Sequence, residues 1–71
     1  IKIGEETMLF RPDEFRESLS KEAISLEFIR SIFVGGLYHN YFKTRNGDTI
    51  VLYQFHRLND TRGIEIVKKT Q

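Results

Sequence analysis

Apolar and polar residues alternate along "LYHNYFK" (residues 37–43) and again along "TIVLYQF" (residues 49–55), with Asn46-Gly47 between the two runs. Alternation of this period predicts two strands. Asn-Gly between them predicts a hairpin with a two-residue type I′ turn, in which both central positions take positive φ. That register sets Arg45 opposite Asp48, Phe42 opposite Val51 and Tyr38 opposite Phe55. One face then carries Tyr38, Asn40, Phe42 and Thr44 with Thr49, Val51, Tyr53 and Phe55, and it reads as core. The other carries Leu37, His39, Tyr41 and Lys43 with Ile50, Leu52, Gln54 and His56. On this second face Leu37, Tyr41, Ile50 and Leu52 form an apolar strip. Large strips of that kind are rarely left in water, so the strip predicts an interface.

The same reading extends along the chain. Residues 7–10 predict a short strand, and Pro12 interrupts any ladder after it. "PDEFRES" reads as a turn or one helical turn, with acidic residues early. Residues 13–34 fit two templates. Phe15, Leu19, Ala23, Leu26 and Phe33 keep helical spacing. Ile24, Leu26, Phe28, Ile32 and Val34 keep strand spacing, with Arg30 as the exception. Gly35-Gly36 reads as a helix stop or a bend between strands. "LNDTRG" is a turn cluster, and residues 64–69 alternate as a final strand. The expected fold is all-β: a small antiparallel barrel of about five strands with at most one short helical turn.

Composition narrows the function. The 71 residues make one small domain spanning residues 1–71, and an apolar content of 39% supplies a core. Absence of cysteine excludes disulfides, thiol nucleophiles and cysteine zinc sites. Eleven basic and ten acidic side chains leave a net charge of +1, so no strong attraction to nucleic acid or anionic lipid is expected. No membrane span or signal peptide is visible. The chain begins at Ile1, which predicts a piece of a longer protein.

No pattern of residues carries strong chemistry. His39 and His56 fall on one face of the predicted hairpin, within reach of a shared ligand, but no third metal ligand joins them there. They read as surface or interface imidazoles. Asp13, Glu14 and Glu17 lie beside Arg11 and Arg16. Acid–base work by such a group is outweighed by a solvated turn with local ion pairs. No nucleophile elbow and no phosphate loop is present. Tyr38, Tyr41, Phe42, Tyr53 and Phe55, with Lys43, Arg45 and Arg57, could stack bases, although aromatics at strand spacing are more often core.

One larger pattern stands out. "LFRPDEF" followed by "FIRSIFVGGLYHNYFKTRNGDTIVL" resembles the transport-associated OB domain, TOBE, which follows the ATPase domain in ATP-binding subunits of ABC importers for polyamines, sugars and ferric iron. Arg11-Pro12-Asp13 is similar to the family's Arg-Pro-Glu, with Asp for Glu. Phe33-Val34-Gly35 matches its Phe-x-Gly, residues 37–43 its aromatic strand, and Asn46-Gly47-Asp48 its glycine turn. The resemblance covers residues 4–57, and a glycine before a last strand follows it. It implies that residues 23–34 are a long, curved barrel strand shared between two sheet regions, and that Arg11, Pro12, Asp13, Gly35 and Gly47 are motif positions. It further implies an accessory, regulatory C-terminal domain that contributes to subunit dimer contacts and to regulation of import, catalyses nothing and holds no cofactor. ATP and magnesium would belong to the ATPase domain, outside this chain. Implied partners are a second copy of the subunit, that ATPase domain and, through them, a membrane permease; nucleic acid is not expected. The implied location is cytoplasmic, peripheral to the inner membrane. Two other readings stay open: an OB-like module for single-stranded nucleic acid, and a small free-standing inhibitor or toxin-like protein.

Overall fold

The computed structural model describes residues 6–67, which form an all-β domain of two small sheets without a helix. Seven short strands follow one another: β1 (Thr7–Phe10), β2 (Phe15–Glu17), β3 (Ile24–Ser25), β4 (Glu27–Val34), β5 (Leu37–Lys43), β6 (Thr49–Gln54) and β7 (Gly63–Ile66). One sheet has the order β1-β6-β5-β4 and the other β2-β7-β3. The pairings are antiparallel except that of β1 with β6, which is parallel and which the antiparallel expectation did not include. Residues 1–5 and the end of the predicted last strand, Lys68 and Lys69, lie outside the described residues.

The segment that fitted both helix and strand is extended. β-Branched and aromatic side chains crowd it, and these pack well on a pleated surface. It breaks once, at Leu26, whose N–H donates to the Arg62 carbonyl at 2.9 Å. Ile24 and Ser25 pair with β7 in one sheet, whereas Glu27 to Val34 pair with β5 in the other. One nearly continuous strand therefore joins both sheets. Arg30, the misfit in its alternation, marks a bulge: pairing steps from Phe28↔Phe42 to Arg30↔Tyr41, leaving Ile29 unopposed. Phe28 faces inward, edge-on to Phe42 at 5.7 Å, and Arg30 faces outward, 4.9 Å from the centre of the Tyr41 ring.

Of the two readings of "PDEFRES", the structure has the plain turn and not the helical one. Glu14 N–H donates to the Arg11 carbonyl at 2.9 Å, closing a tight turn, and β2 starts at once with Phe15. Phe15 is buried, which requires the extended geometry, while Leu19 is 87% exposed and gains nothing from helical spacing.

Gly35-Gly36 is a bend between strands, one of its two expected readings, whereas the Asn46-Gly47 turn differs from expectation. Gly35 and Gly36 have φ of 61° and 85°, the pair of positive values that a type I′ turn needs, and Val34 pairs directly with Leu37 across them. At the second turn only Gly47 is positive, at 87°. Its N–H donates to the Thr44 carbonyl at 3.1 Å, and Thr44 N–H donates to the Asp48 carbonyl at 2.9 Å. The loop is thus Arg45-Asn46-Gly47, three residues with the glycine last.

That extra loop residue changes the register. Phe42 pairs with Ile50, Asn40 with Leu52 and Tyr38 with Gln54. A one-residue slip exchanges the faces of one strand relative to the other. The predicted strip is corrected accordingly: Ile50 and Leu52 are fully buried core residues beside Phe42, while Leu37 and Tyr41 lie on the opposite face. The core sits between the sheets, where Phe42, Ile50 and Leu52 meet Phe15, Leu58 and Ile64, flanked by Met8, Phe10, Ile24 and Leu26. Burying each large side chain contributes about 1.5–3 kcal/mol.

Candidate functional site

The motif positions shape turns. Arg11, Pro12 and Asp13 form the corner between β1 and β2, where Arg11 N–H also donates to the Glu14 carboxylate at 2.8 Å. Gly35 and Gly47 supply the positive φ of the two hairpins. None of these residues lines the three clefts described below.

The histidines separate. His39 pairs with Tyr53, the rings stacked at 4.2 Å and 19°, with Ile32 on its other side. His56 lies beyond the end of β6 and is exposed. Among the described residues no group of three His, Asp or Glu side chains is placed to hold a metal ion.

The acidic patch is also dispersed. Glu17 accepts from the buried Thr61 hydroxyl at 2.8 Å. Arg16 pairs with Glu65 across β2 and β7, donating at 2.6 and 3.1 Å, and Ser18 Oγ donates to the other Glu65 oxygen at 2.8 Å. These bonds, with the guanidinium foremost, hold the Glu65 carboxyl below its ordinary value of 4.5. A carboxylate held low is a poor base, so Ser18 is not activated by it. The contribution to stability is present at neutral pH and is lost as pH falls through the lowered pKa. Glu65→Gln is therefore expected to narrow the difference in melting temperature from the parent as pH drops below 4.5. A difference that stays constant down to the acid limit would show that Glu65 does not titrate in this way.

Asn40, read as an ordinary core-face residue, is a polar hub. It is fully buried. Its Oδ1 accepts from Leu58 N–H at 3.1 Å and from Ser31 Oγ, and its amide donates to the Leu52 carbonyl at 3.1 Å and to the Tyr38 and His56 carbonyls at 3.4 Å. The hub ties β4, β5 and β6 to the segment leading to Leu58.

Among the described residues, three clefts stand out at the surface. The largest, about 450 Å³, is lined by Glu17, Ser18, Leu19 and residues 60–63. Its polar groups are of mixed charge, and Glu17, Ser18 and Thr61 already have partners. Two smaller clefts, about 210 and 300 Å³, adjoin at the β5–β6 turn and share Ser25, Thr44 and Arg45.

Exposed apolar side chains occur in several places, Leu9, Leu19, Ile29 and Ile66 among them, and one group lies at the Gly35-Gly36 end of the four-stranded sheet. Ile32, Phe33 and Val34 run into the Gly35-Gly36 turn, and Phe33 and Val34 are 61% and 51% exposed. Phe33 contacts Tyr38 at 4.9 Å between rings, Tyr38 pairs with Gln54, and Phe55 follows at 72% exposure. One end of the four-stranded sheet is thus an apolar knob with exposed side chains on both faces, Phe33 on one and Ile32 and Val34 on the other of β4, an edge strand. Sequence alternation missed it because the assumed register placed Phe55 in the core.

Comparison with protein-family models, with curated proteins and with solved structures finds no match.

Proposed function

We propose that the chain is a non-catalytic accessory domain of the TOBE kind, serving the ATP-binding subunit of an ABC importer and docking through the apolar end of its four-stranded sheet. The observation that carries this reading is the knob of Ile32, Phe33, Val34 and Phe55. Clustered large apolar groups on an edge strand favour association, because the strand also offers unpaired backbone groups. The resemblance of "LFRPDEF" and "FVGG" to the TOBE pattern supplies the transporter context, and the all-β fold agrees with it. In that context the occupants of the knob are a second copy of the subunit or the ATPase domain. ATP and magnesium would act in the ATPase domain.

The expected result is weak, concentration-dependent self-association of the 71-residue chain in sedimentation. Phe33→Ser with Phe55→Ser should abolish it and leave the melting temperature within a few degrees, because neither side chain is in the core. A strictly monomeric parent, together with a variant that unfolds, would overturn the docking role and return both residues to the core.

A further inference from the structure

We propose that the groove at the β5–β6 turn binds a small phosphorylated organic anion, its phosphate held among Lys21, Lys43 and Arg45. The two adjoining clefts there are walled by these three cations and one carboxylate, Glu27, in a chain whose net charge is only +1. None of the three cations makes an ion pair or a side-chain hydrogen bond among the described residues. Elsewhere Arg16 is engaged on Glu65 and Arg30 over Tyr41, while Arg11, Arg57 and Arg62, which also make no side-chain bond among the described residues, line neither of these two clefts. The turn's own carboxylate, Asp48, accepts from Glu6 N–H at 3.2 Å and lines neither cleft.

The cations are mounted on fixed backbone. Lys43 ends β5, and Arg45 sits in the loop closed by the Thr44, Gly47 and Asp48 bonds. Lys21 lies in the turn closed by Ala23 N–H on the Ser20 carbonyl at 3.1 Å. An arginine fork with two lysine point charges suits a phosphate dianion. Neutral donors complete the set. Thr44 Oγ1 accepts from Asp48 N–H, which leaves its own proton to donate, and the Ser25 hydroxyl and Asn46 amide stand beside it.

Size and lining select the class of ligand. Volumes of about 210 and 300 Å³ suit a small molecule rather than the track of a polymer. No aromatic side chain lines either cleft, so a base has no stacking platform. Ala23, Ile24 and Leu26 offer a short apolar wall for a carbon skeleton. The groove lies at the opposite end of β4 and β5 from the apolar knob, so the two readings stand or fall separately.

The test is an amide-resolved NMR titration of the 71-residue chain with glycerol 3-phosphate. Parallel titrations use inorganic phosphate, citrate, sodium chloride at matched ionic strength and a short oligothymidylate. Saturable shifts at Ser25, Thr44, Arg45 and Asn46 are expected with glycerol 3-phosphate, and weaker ones with inorganic phosphate. Lys43→Gln with Arg45→Gln should weaken the affinity by about tenfold or more, without changing the melting temperature, since both side chains are exposed and unpartnered. Shifts that merely follow the sodium chloride series, equal binding of citrate, tighter binding of the oligonucleotide, or an unchanged affinity in the double variant would each overturn the proposal.

Discussion

Asn40→Leu is expected to cost about 3–5 kcal/mol, much of the stability of so small a domain. The two side chains share a branched outline but Leu is larger, so the cost combines lost polarity with overpacking, and Asn40→Asp reads the polar part. The Leu58 N–H, a deeply placed backbone donor, loses its partner along with the Ser31 hydroxyl, and the Leu52 carbonyl loses its second donor while keeping its place in the β5–β6 ladder. Each buried group left unsatisfied costs about 1–3 kcal/mol. The Leu58 N–H can only donate, so the amide oxygen must face it. The nitrogen then meets the carbonyls. Urea unfolding should show a lower midpoint with an unchanged slope. Asn40→Asp gives a second reading. It keeps the acceptor and loses the donor, and burial raises its pKa. Its deficit relative to the parent should therefore shrink as pH falls through that raised pKa, when the protonated carboxyl can donate again. Asn40→Leu should show no such recovery from the substituted residue. A Leu variant within about 1 kcal/mol of the parent would mean that the hub is dispensable. The consequence reaches the docking surface, because the hub also holds the His56 carbonyl next to Phe55.

Periodicity leaves residues 23–34 open between helix and strand; the crowding of Ile24, Phe28, Ile29, Ile32, Phe33 and Val34 leans toward a sheet, and the TOBE resemblance decides for strand. The break at Leu26 was not legible, since the same side chains suit either sheet; only the Leu26 bond to Arg62, far along the chain, decides it. The hairpin register was misread for a definite physical reason. Asn-Gly satisfies a two-residue turn and equally a three-residue loop ending in glycine. The apolar run Ile50-Val51-Leu52 could not choose between them, because either face of β6 can be buried. Val51 is in fact 4% exposed, although it points away from the main core, packed in the row between Leu9 and Tyr41. Gly35-Gly36 was the stronger type I′ signal, with no residue that resists positive φ. The candidate groove depends on residues 21–26 lying against the second hairpin, a meeting of distant segments that no local pattern encodes. The knob depends on the register and was lost with it.

Gly63→Ala is expected to lower stability by about 2 kcal/mol, a fall in melting temperature of roughly 10 °C for a domain of this size. Gly63 does not take positive φ, so its glycine is not required by backbone conformation. Space requires it. A Cβ there would lie 2.9 Å from the Ser18 carbonyl oxygen, 3.2 Å from the Ile24 carbonyl oxygen and 3.3 Å from the Ala23 Cβ. The two oxygens belong to backbone on either side of β7. Gly63 is itself held there, its carbonyl accepting from Ser18 N–H at 3.0 Å and its Cα opposite Ser25. Relief would need β2 and β3 to move apart, loosening the three-stranded sheet that carries Phe15 and Ile64 into the core. The entropic gain of replacing glycine, about 0.4–1 kcal/mol, is smaller than this cost. A double-mutant cycle with Ala23→Gly separates the causes. Removing the Ala23 methyl leaves both carbonyls in place, so the coupling should be small and the stability of Gly63→Ala should not return. Full rescue by Ala23→Gly would locate the clash at the side chain and show that the strands flanking β7 have room to give.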